Sequence, residues 1–272
     1  MKLMIAIPVY NRAKYVDIVA KSLSECKLIE QADVRVYDDC SSEFDISYLE
    51  EKFKPVNAKI KRRSTRSPCT ENNAFEMMTE FKMSDNDVLL ICDSDLLLRP
   101  DALEFLHNNF KLTDGFMSLY NSDLHLTVKK GTLFDLKINV GFAGMCLSKE
   151  IVSLVLEHKN PLFGDLKISK IIFENNIRVL VPTNSMVQHI GISGKHGSLS
   201  RGMDYSSSFE PISEHNKKVI SELAPVIAKA QTAFIGKLLF EDKYRKHGFL
   251  LHQPLRYLFI KRMVSKYKGI KI

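Results

Sequence analysis

Over its first 110 residues the chain alternates short apolar runs with stretches of helical periodicity, and this pattern limits the folds open to it. Residues 3–9 read as a buried strand and residues 13–28 as a helix, with Val16, Val19, Ala20 and Leu23 at helical spacing. Residues 34–37 predict a second strand, 44–53 a short helix and 58–60 a weak third strand. A helix over 70–83 carries Ala74, Met77, Met78 and Phe81 on one face, and the apolar run 88–92 predicts a fourth strand. Pro100 then opens a helix through Leu103, Leu106 and Phe110, at a position where its missing N–H costs nothing. Strand–helix alternation of this kind gives a parallel sheet with right-handed crossovers, flanked by helices.

The second half is less regular. Strands are expected over 116–120, 140–147, 179–181 and 186–190, and helices over 149–158 and 165–175. Residues 191–208 hold four Gly and six Ser, a composition that cannot build a core and predicts a mobile loop. A helical region follows from about Pro211, with a kink expected at Pro225.

The 272 residues suffice for a large α/β domain without disulfide support. The five cysteines are widely spaced with no C-x-x-C, which argues against a disulfide framework or zinc site and for a reducing, cytoplasmic setting. No apolar run approaches the roughly 18 residues of a spanning helix. The formal charge is +7, and the last 42 residues carry ten Lys or Arg against Glu241 and Asp242. The whole basic excess is therefore local to the C-terminal tail.

In open parallel sheets, ligands bind beyond the carboxyl ends of the strands. The first strand ends in Pro8-Val9-Tyr10-Asn11, the second in Asp38-Asp39, and the fourth in Asp93-Ser94-Asp95. Arg62, Arg63 and Arg66 follow the third strand. Two carboxylates one residue apart repel each other and need a cation; their oxygens suit Mg²⁺ or Mn²⁺, which bridge to phosphates. The alternative is a solvated turn ahead of the Pro100 helix. In Asp38-Asp39 a carboxylate has the chemistry to accept from a pyrimidine N–H or a ribose hydroxyl, the alternative being a strand-ending turn with Ser41 and Ser42.

Three motifs in this order, Ile5-Ala-Ile-Pro-Val-Tyr-Asn11, Val36-Tyr-Asp-Asp-Cys-Ser41 and Ile91-Cys-Asp-Ser-Asp95 with Pro100, resemble glycosyltransferase family 2, nucleotide-sugar enzymes of the GT-A fold. Three later segments extend the resemblance to roughly residues 3–191. Gly141-Phe-Ala-Gly-Met145 is similar to the family's segment beside the donor sugar. Phe163-Gly-Asp165 is similar to the segment bearing the catalytic carboxylate, although Gly164 stands where the family usually has an acid. Val187-Gln-His189-Ile-Gly191 is similar to the late strand whose His completes the metal site.

The resemblance implies a UDP-sugar donor and a metal held by Asp95 and His189, with Asp93 at the metal or the ribose. It further implies Asp165 as general base, inversion at the anomeric carbon, and donor contacts from Pro8, Tyr10, Asn11, Asp39, Arg66, Asp93, Ser94 and Gly144. Lys61 and Arg63 rival Arg66 for the diphosphate, and His189 has the alternative of a packed, hydrogen-bonded side chain. The loop 191–208 is a candidate lid or an ordinary connection. The chain has no Trp and so lacks the Q-x-x-R-W signature of processive members, which favours one sugar per binding event.

The expected organisation is a catalytic domain over 1–210, with a nucleotide-binding half to about 112 and an acceptor-binding half beyond it, then a helical basic extension over 211–272. Basic and apolar residues mix after Leu250, which suits an anionic membrane surface and a glycan or lipid-linked glycan acceptor, in bacterial surface polysaccharide synthesis. A packed helix or an oligomer contact are the alternatives for the tail; no nucleic-acid motif is present. A sugar nucleotidyltransferase and a non-catalytic sugar-nucleotide-binding scaffold are the competing functions.

Overall fold

The structure, a computed structural model, describes residues 1–68, 70–158, 164–191 and 204–240. The expected parallel core is present: β1 (Leu3–Val9) pairs in parallel with β2 (Ala32–Asp38) and with β4 (Val88–Ile91), and β2 with β3 (Lys59–Arg62). Both faces of these strands are covered. In β1, Leu3, Ile5, Ile7 and Val9 face one apolar cluster, and Met4 and Ala6 face another. Burial on two faces is why the strand reads as one continuous apolar run.

The first cluster is closed by α1 (Ala13–Ser24), α2 (Ile46–Phe53) and α4 (Ala102–Asn109), through Val16, Leu23, Leu49, Phe53 and Leu106. The second is closed by α3 (Thr70–Met83), α5 (Lys149–Glu157) and α6 (Asp165–Glu174), through Met78, Phe81, Val152 and Ile172. The result is a three-layer α/β sandwich. Helix α4 begins at Ala102, two residues after Pro100, and the Asp101 carboxylate is engaged by Arg99 instead of capping the helix.

Beyond β4 the sheet changes character. Among the described residues it has nine strands in the order β3-β2-β1-β4-β9-β6-β10-β8-β7. Strand β9 (Met145–Ser148) lies antiparallel between β4 and β6 (Phe116–Ser118), and β10 (Val179–Pro182) pairs in parallel with β6. Strands β7 (Thr127–Lys129) and β8 (Phe134–Lys137) complete the edge and were not expected from periodicity. The strand expected over 140–147 begins only at Met145, because Gly144 adopts φ +69° and interrupts extended backbone.

A second, two-stranded sheet joins β5 (Leu96–Leu98) to β11 (Val187–His189), antiparallel, with Leu96 opposite His189. Strand β5 was not expected from the sequence, and its three leucines are all buried. Helix α7 (Glu214–Phe240) runs through Pro225 as one helix. Its first turns pack on the body: Val219 and Leu223 join Leu97, Ile190 and Phe209, and Asn216 Nδ2 donates to the Leu98 carbonyl at 3.0 Å. Contacts thus cross residue 210. No described helix is long and apolar enough to cross a membrane. The basic tail after Leu250 and most of the 191–208 loop lie outside the described residues.

Candidate active site

The loops that leave β1 and β2 are laced together. Asn11 and Arg12 both take left-handed backbone, φ 52° and 64°. Asn11 N–H donates to Ser41 Oγ at 2.8 Å, and Asn11 Oδ1 accepts from the Ser42 and Glu43 N–H groups at 2.8 and 3.1 Å. The Asn11 side chain, expected at the donor, is therefore engaged in holding the loops. Asp38 closes the β2 turn, accepting from Ser41 N–H at 3.0 Å and lying 3.2 Å from Arg62 Nη1.

Asp39 is buried, and its Oδ1 accepts from Ser67 N–H at 2.8 Å. It thereby draws the segment carrying Arg66 over the end of β2. The three candidate cations separate cleanly. Lys61 lies 2.5 Å from both Glu76 and Glu80, and Arg63 pairs with Glu76. Arg66 makes no ion pair among the described residues and lies over the Tyr10 ring, 4.0 Å from its centroid. Of the three it is the one without a carboxylate partner among the described residues, and its guanidinium stacks on Tyr10.

At the end of β4, the Asp95 carboxylate is buried between two cations. Arg12 Nη1 donates to Oδ2 at 2.7 Å, and His189 Nε2 lies 3.4 Å from Oδ1. Arg12 Nη2 also donates to Ser94 Oγ at 3.3 Å. Burial pushes the Asp95 carboxyl up, but His189 and then Arg12 outweigh it and hold it well below the usual carboxylate range. Burial lowers His189, but Asp95, helped by Asp204 and Asp93, raises it to about 9. The backbone reinforces the pairing, since Ile190 N–H donates to the Asp95 carbonyl at 2.9 Å. A Cβ on Gly191 would stand 2.2 Å from Asp95 Oδ2, so only glycine lets the carboxylate lie there.

This donor set fits a divalent ion. Two ligands each about 2.1 Å from one ion, at about 90–110°, lie about 3.0–3.5 Å apart, and Oδ1 and Nε2 are 3.4 Å apart. His189 Nδ1 is buried without a hydrogen-bond partner among the described residues. No third His, Cys, Asp or Glu among them completes a cluster, so an ion held here would need its remaining ligands from water or phosphate oxygens.

Gly144 has a packing role. Its N–H donates to the Ile91 carbonyl at 3.1 Å, its carbonyl accepts from Leu119 N–H at 2.8 Å, and a Cβ would meet Val187 at 3.2 Å. Asp165 is the first residue of α6, and its side chain lies outside the described residues.

Three residues missed in the sequence stand close by. Arg12 follows the Asn11 of the first motif directly and was the one legible in principle. The Tyr120 ring lies 6.4 Å from that of His189, and its hydroxyl donates to Asp204 at 3.2 Å. Asp204 also accepts from Ser122. A lone acid in a Gly/Ser-rich stretch gives no signal of this.

The family model "Glycosyl transferase family 2" matches residues 4–119. Poly(ribitol-phosphate) beta-N-acetylglucosaminyltransferase TarS from Staphylococcus aureus, strains Mu50 / ATCC 700699 and MW2, is 26% identical over 134 residues. That is 48% of this chain and 21% of TarS, so the chain spans about a fifth of the length of these curated relatives. The crystal structure of S. aureus TarS 1–349 in complex with UDP-GlcNAc superposes with a TM-score of 0.55 at 16% identity, covering 98% of this chain and 80% of that one. The mannosyltransferase PcManGT from Pyrobaculum calidifontis, in complex with GDP-Man and Mn²⁺, gives 0.53 at 13% identity, covering 98% and 86%. At these identities the superpositions show the fold, which is GT-A in type.

Proposed function

We propose, with the family 2-like sequence and GT-A fold of this chain as the premise, that it is an inverting, metal-assisted glycosyltransferase. It would move one sugar from a UDP-sugar to a hydroxyl of a glycan or lipid-linked glycan, in the synthesis of a cell-surface polysaccharide. The observation that carries this reading is the Asp95–His189 pair at the end of β4, on the same sheet edge as Asp39 and Arg66. TarS bears an N-acetylglucosaminyltransferase name and has been solved with UDP-GlcNAc, which makes that donor the first to test.

In this reading Asp39 accepts from the uracil, and the Pro8 carbonyl contacts the nucleoside. Arg66, supported by Tyr10, meets the diphosphate. Asp95 Oδ1 and His189 Nε2 would hold Mn²⁺ or Mg²⁺, with Asp93 at the ribose or a bound water. The ion supplies positive charge where the leaving diphosphate develops negative charge. Asp165, the first residue of α6, would take the acceptor's proton as the hydroxyl attacks.

The test is donor hydrolysis and transfer with Mn²⁺ across UDP-GlcNAc, other UDP-sugars and GDP-mannose, repeated in EDTA. Hydrolysis of a UDP-sugar that stops in EDTA is the expected result. Undiminished turnover in EDTA overturns the metal assignment. Pyrophosphate release from a nucleoside triphosphate and a sugar phosphate points instead to a nucleotidyltransferase, and binding without turnover to a scaffold.

The basic tail is proposed to hold the enzyme at the cytoplasmic face of an anionic membrane. Co-sedimentation with anionic vesicles should then fall on removal of residues 250–272 and at high salt. Equal sedimentation of the two forms would count against it.

A further inference from the structure

We infer that Arg12 is the resident counter-cation of Asp95: it disfavours a free divalent ion at this carboxylate and couples the ion's arrival to that of a nucleoside diphosphate. The inference rests on the reading above, in which Asp95 and His189 hold an ion beside the diphosphate.

The observations concern how Arg12 is built in. Its backbone is left-handed, its N–H donates to the Glu43 carboxylate, and its carbonyl accepts from Tyr15 N–H at 2.9 Å as α1 begins. Its guanidinium lies 5.4 Å from the Tyr15 ring centroid and bonds both Asp95 Oδ2 and Ser94 Oγ. The side chain keeps 34% exposure, while Asp95 keeps 8%. One end of the contact is therefore sealed in the protein and the other is open to a ligand.

A buried carboxylate is costly unless it is paired or hydrogen-bonded. Arg12, together with His189, meets that need before any ion or donor binds. The same charge opposes a second cation at Oδ1 of the carboxylate it already bonds through Oδ2. A diphosphate reverses the balance, because its oxygens offer the guanidinium a fork-shaped partner of higher charge than one carboxylate. Arg12 then contributes to nucleotide binding, and Asp95 becomes available to the ion. Arg12 acts on the metal through Asp95 and is in that respect a positioning residue.

The test uses Arg12→Gln, which keeps N–H donors toward Asp95 and removes the charge. Mn²⁺ binding alone is read by electron paramagnetic resonance, UDP binding in EDTA by calorimetry, and Mn²⁺ binding again with saturating UDP. The variant should bind Mn²⁺ alone at least about fivefold more tightly and UDP alone at least about fivefold more weakly. These shifts have opposite signs, whereas a merely distorted site weakens both. Arg12→Lys should return both affinities toward wild type.

Weakening of both affinities, no change in either, or no recovery in Arg12→Lys overturns the inference. Should Arg12→Gln melt far below wild type, Arg12→Met is measured in its place, and loss of fold in both counts against it. If wild-type protein binds no Mn²⁺ even with UDP, the metal reading itself fails. If wild type binds Mn²⁺ with UDP and the variant is unchanged, only the role of Arg12 fails.

Discussion

Strands β1 to β4 and strands β6 to β10 share one sheet but are built differently. The first group is wholly parallel, and β1 and β2 are seven residues long. The second group has strands of three or four residues, mostly antiparallel, and β8 is Phe-Asp-Leu-Lys with all four residues buried. Its polar members are satisfied at a distance. Asp135 accepts from Asn121 Nδ2 at 3.2 Å, and Lys137 Nζ donates to the Ser122 and His125 carbonyls. The parallel half is held by apolar layers on both faces, and the other half by particular hydrogen bonds. The candidate site takes Asp95 from the end of the first group and His189 and Gly191 from β11 and the turn after it, in the half of the chain that builds the second group, so substitutions on either side test whether the halves serve separable roles.

The largest effect is expected in the parallel half. Asp95→Ala should reduce turnover on the order of 10³-fold and abolish metal-dependent UDP binding, since the ion then lacks its carboxylate. Steady-state kinetics with and without Mn²⁺ check this. In the other half, Asp165→Asn should lower transfer by about 10²–10⁴-fold while UDP affinity stays within a few-fold, because the amide cannot take a proton. Loss of donor binding with turnover retained at saturating donor would make Asp165 a donor-site residue and erase the division between the halves.

Gly191→Ala sharpens the comparison from the junction. Its Cβ would stand 2.2 Å from Asp95 Oδ2, so a change on the second half should displace the carboxylate of the first. A loss of about 10²-fold in turnover is expected from a shift of about 1 Å, with weaker Mn²⁺-dependent UDP binding. Near-normal kinetics would show that Asp95 has room to move.

A smaller effect belongs to Asn11→Ala. Two backbone N–H groups lose their acceptor at 2.8 and 3.1 Å, which should lower stability by about 1–2 kcal/mol in denaturant titration.

The smallest is a pH effect in metal-free buffer. His189 is raised to about 9 by its pairing with Asp95, above an unfolded value of about 6.5. Its contribution to stability is complete below about 6.5 and is lost as pH rises through about 9. Wild-type melting should therefore fall by more between pH 6 and 9.5 than that of His189→Gln. Parallel profiles would remove the ion pair from the account of stability.

The same contrast governs what the sequence revealed. Apolar runs and helical spacing made β1, β2, β4 and α3 legible, since two-sided burial leaves a continuous signature. Periodicity did not find β5, whose three leucines directly follow a charged turn, nor β7 and β8, whose polar residues have distant partners. Asp95 and His189 were legible as a pair only through the motif order. Arg12 was overlooked because its partner lies 83 positions away. The lacing role of Asn11 and the packing role of Gly144 depend on left-handed backbone, which residue type suggests but does not specify.

The short β5–β11 ladder has a consequence for how the protein comes into being. His189 reaches Asp95 because it stands opposite Leu96, in a ladder of three rungs. A slip of one residue would turn His189 to the opposite face of that ribbon. The parallel core carries its own apolar layers and can collapse early during synthesis, but at that stage Asp95 has only Arg12 beside it. Joining the two short strands closes the loop of residues 99–186, a slow kind of contact to make. A nascent chain would thus acquire the strand ends proposed to meet the nucleotide first and the proposed Asp95–His189 ion site last, so that on this proposal ion binding reports completed folding.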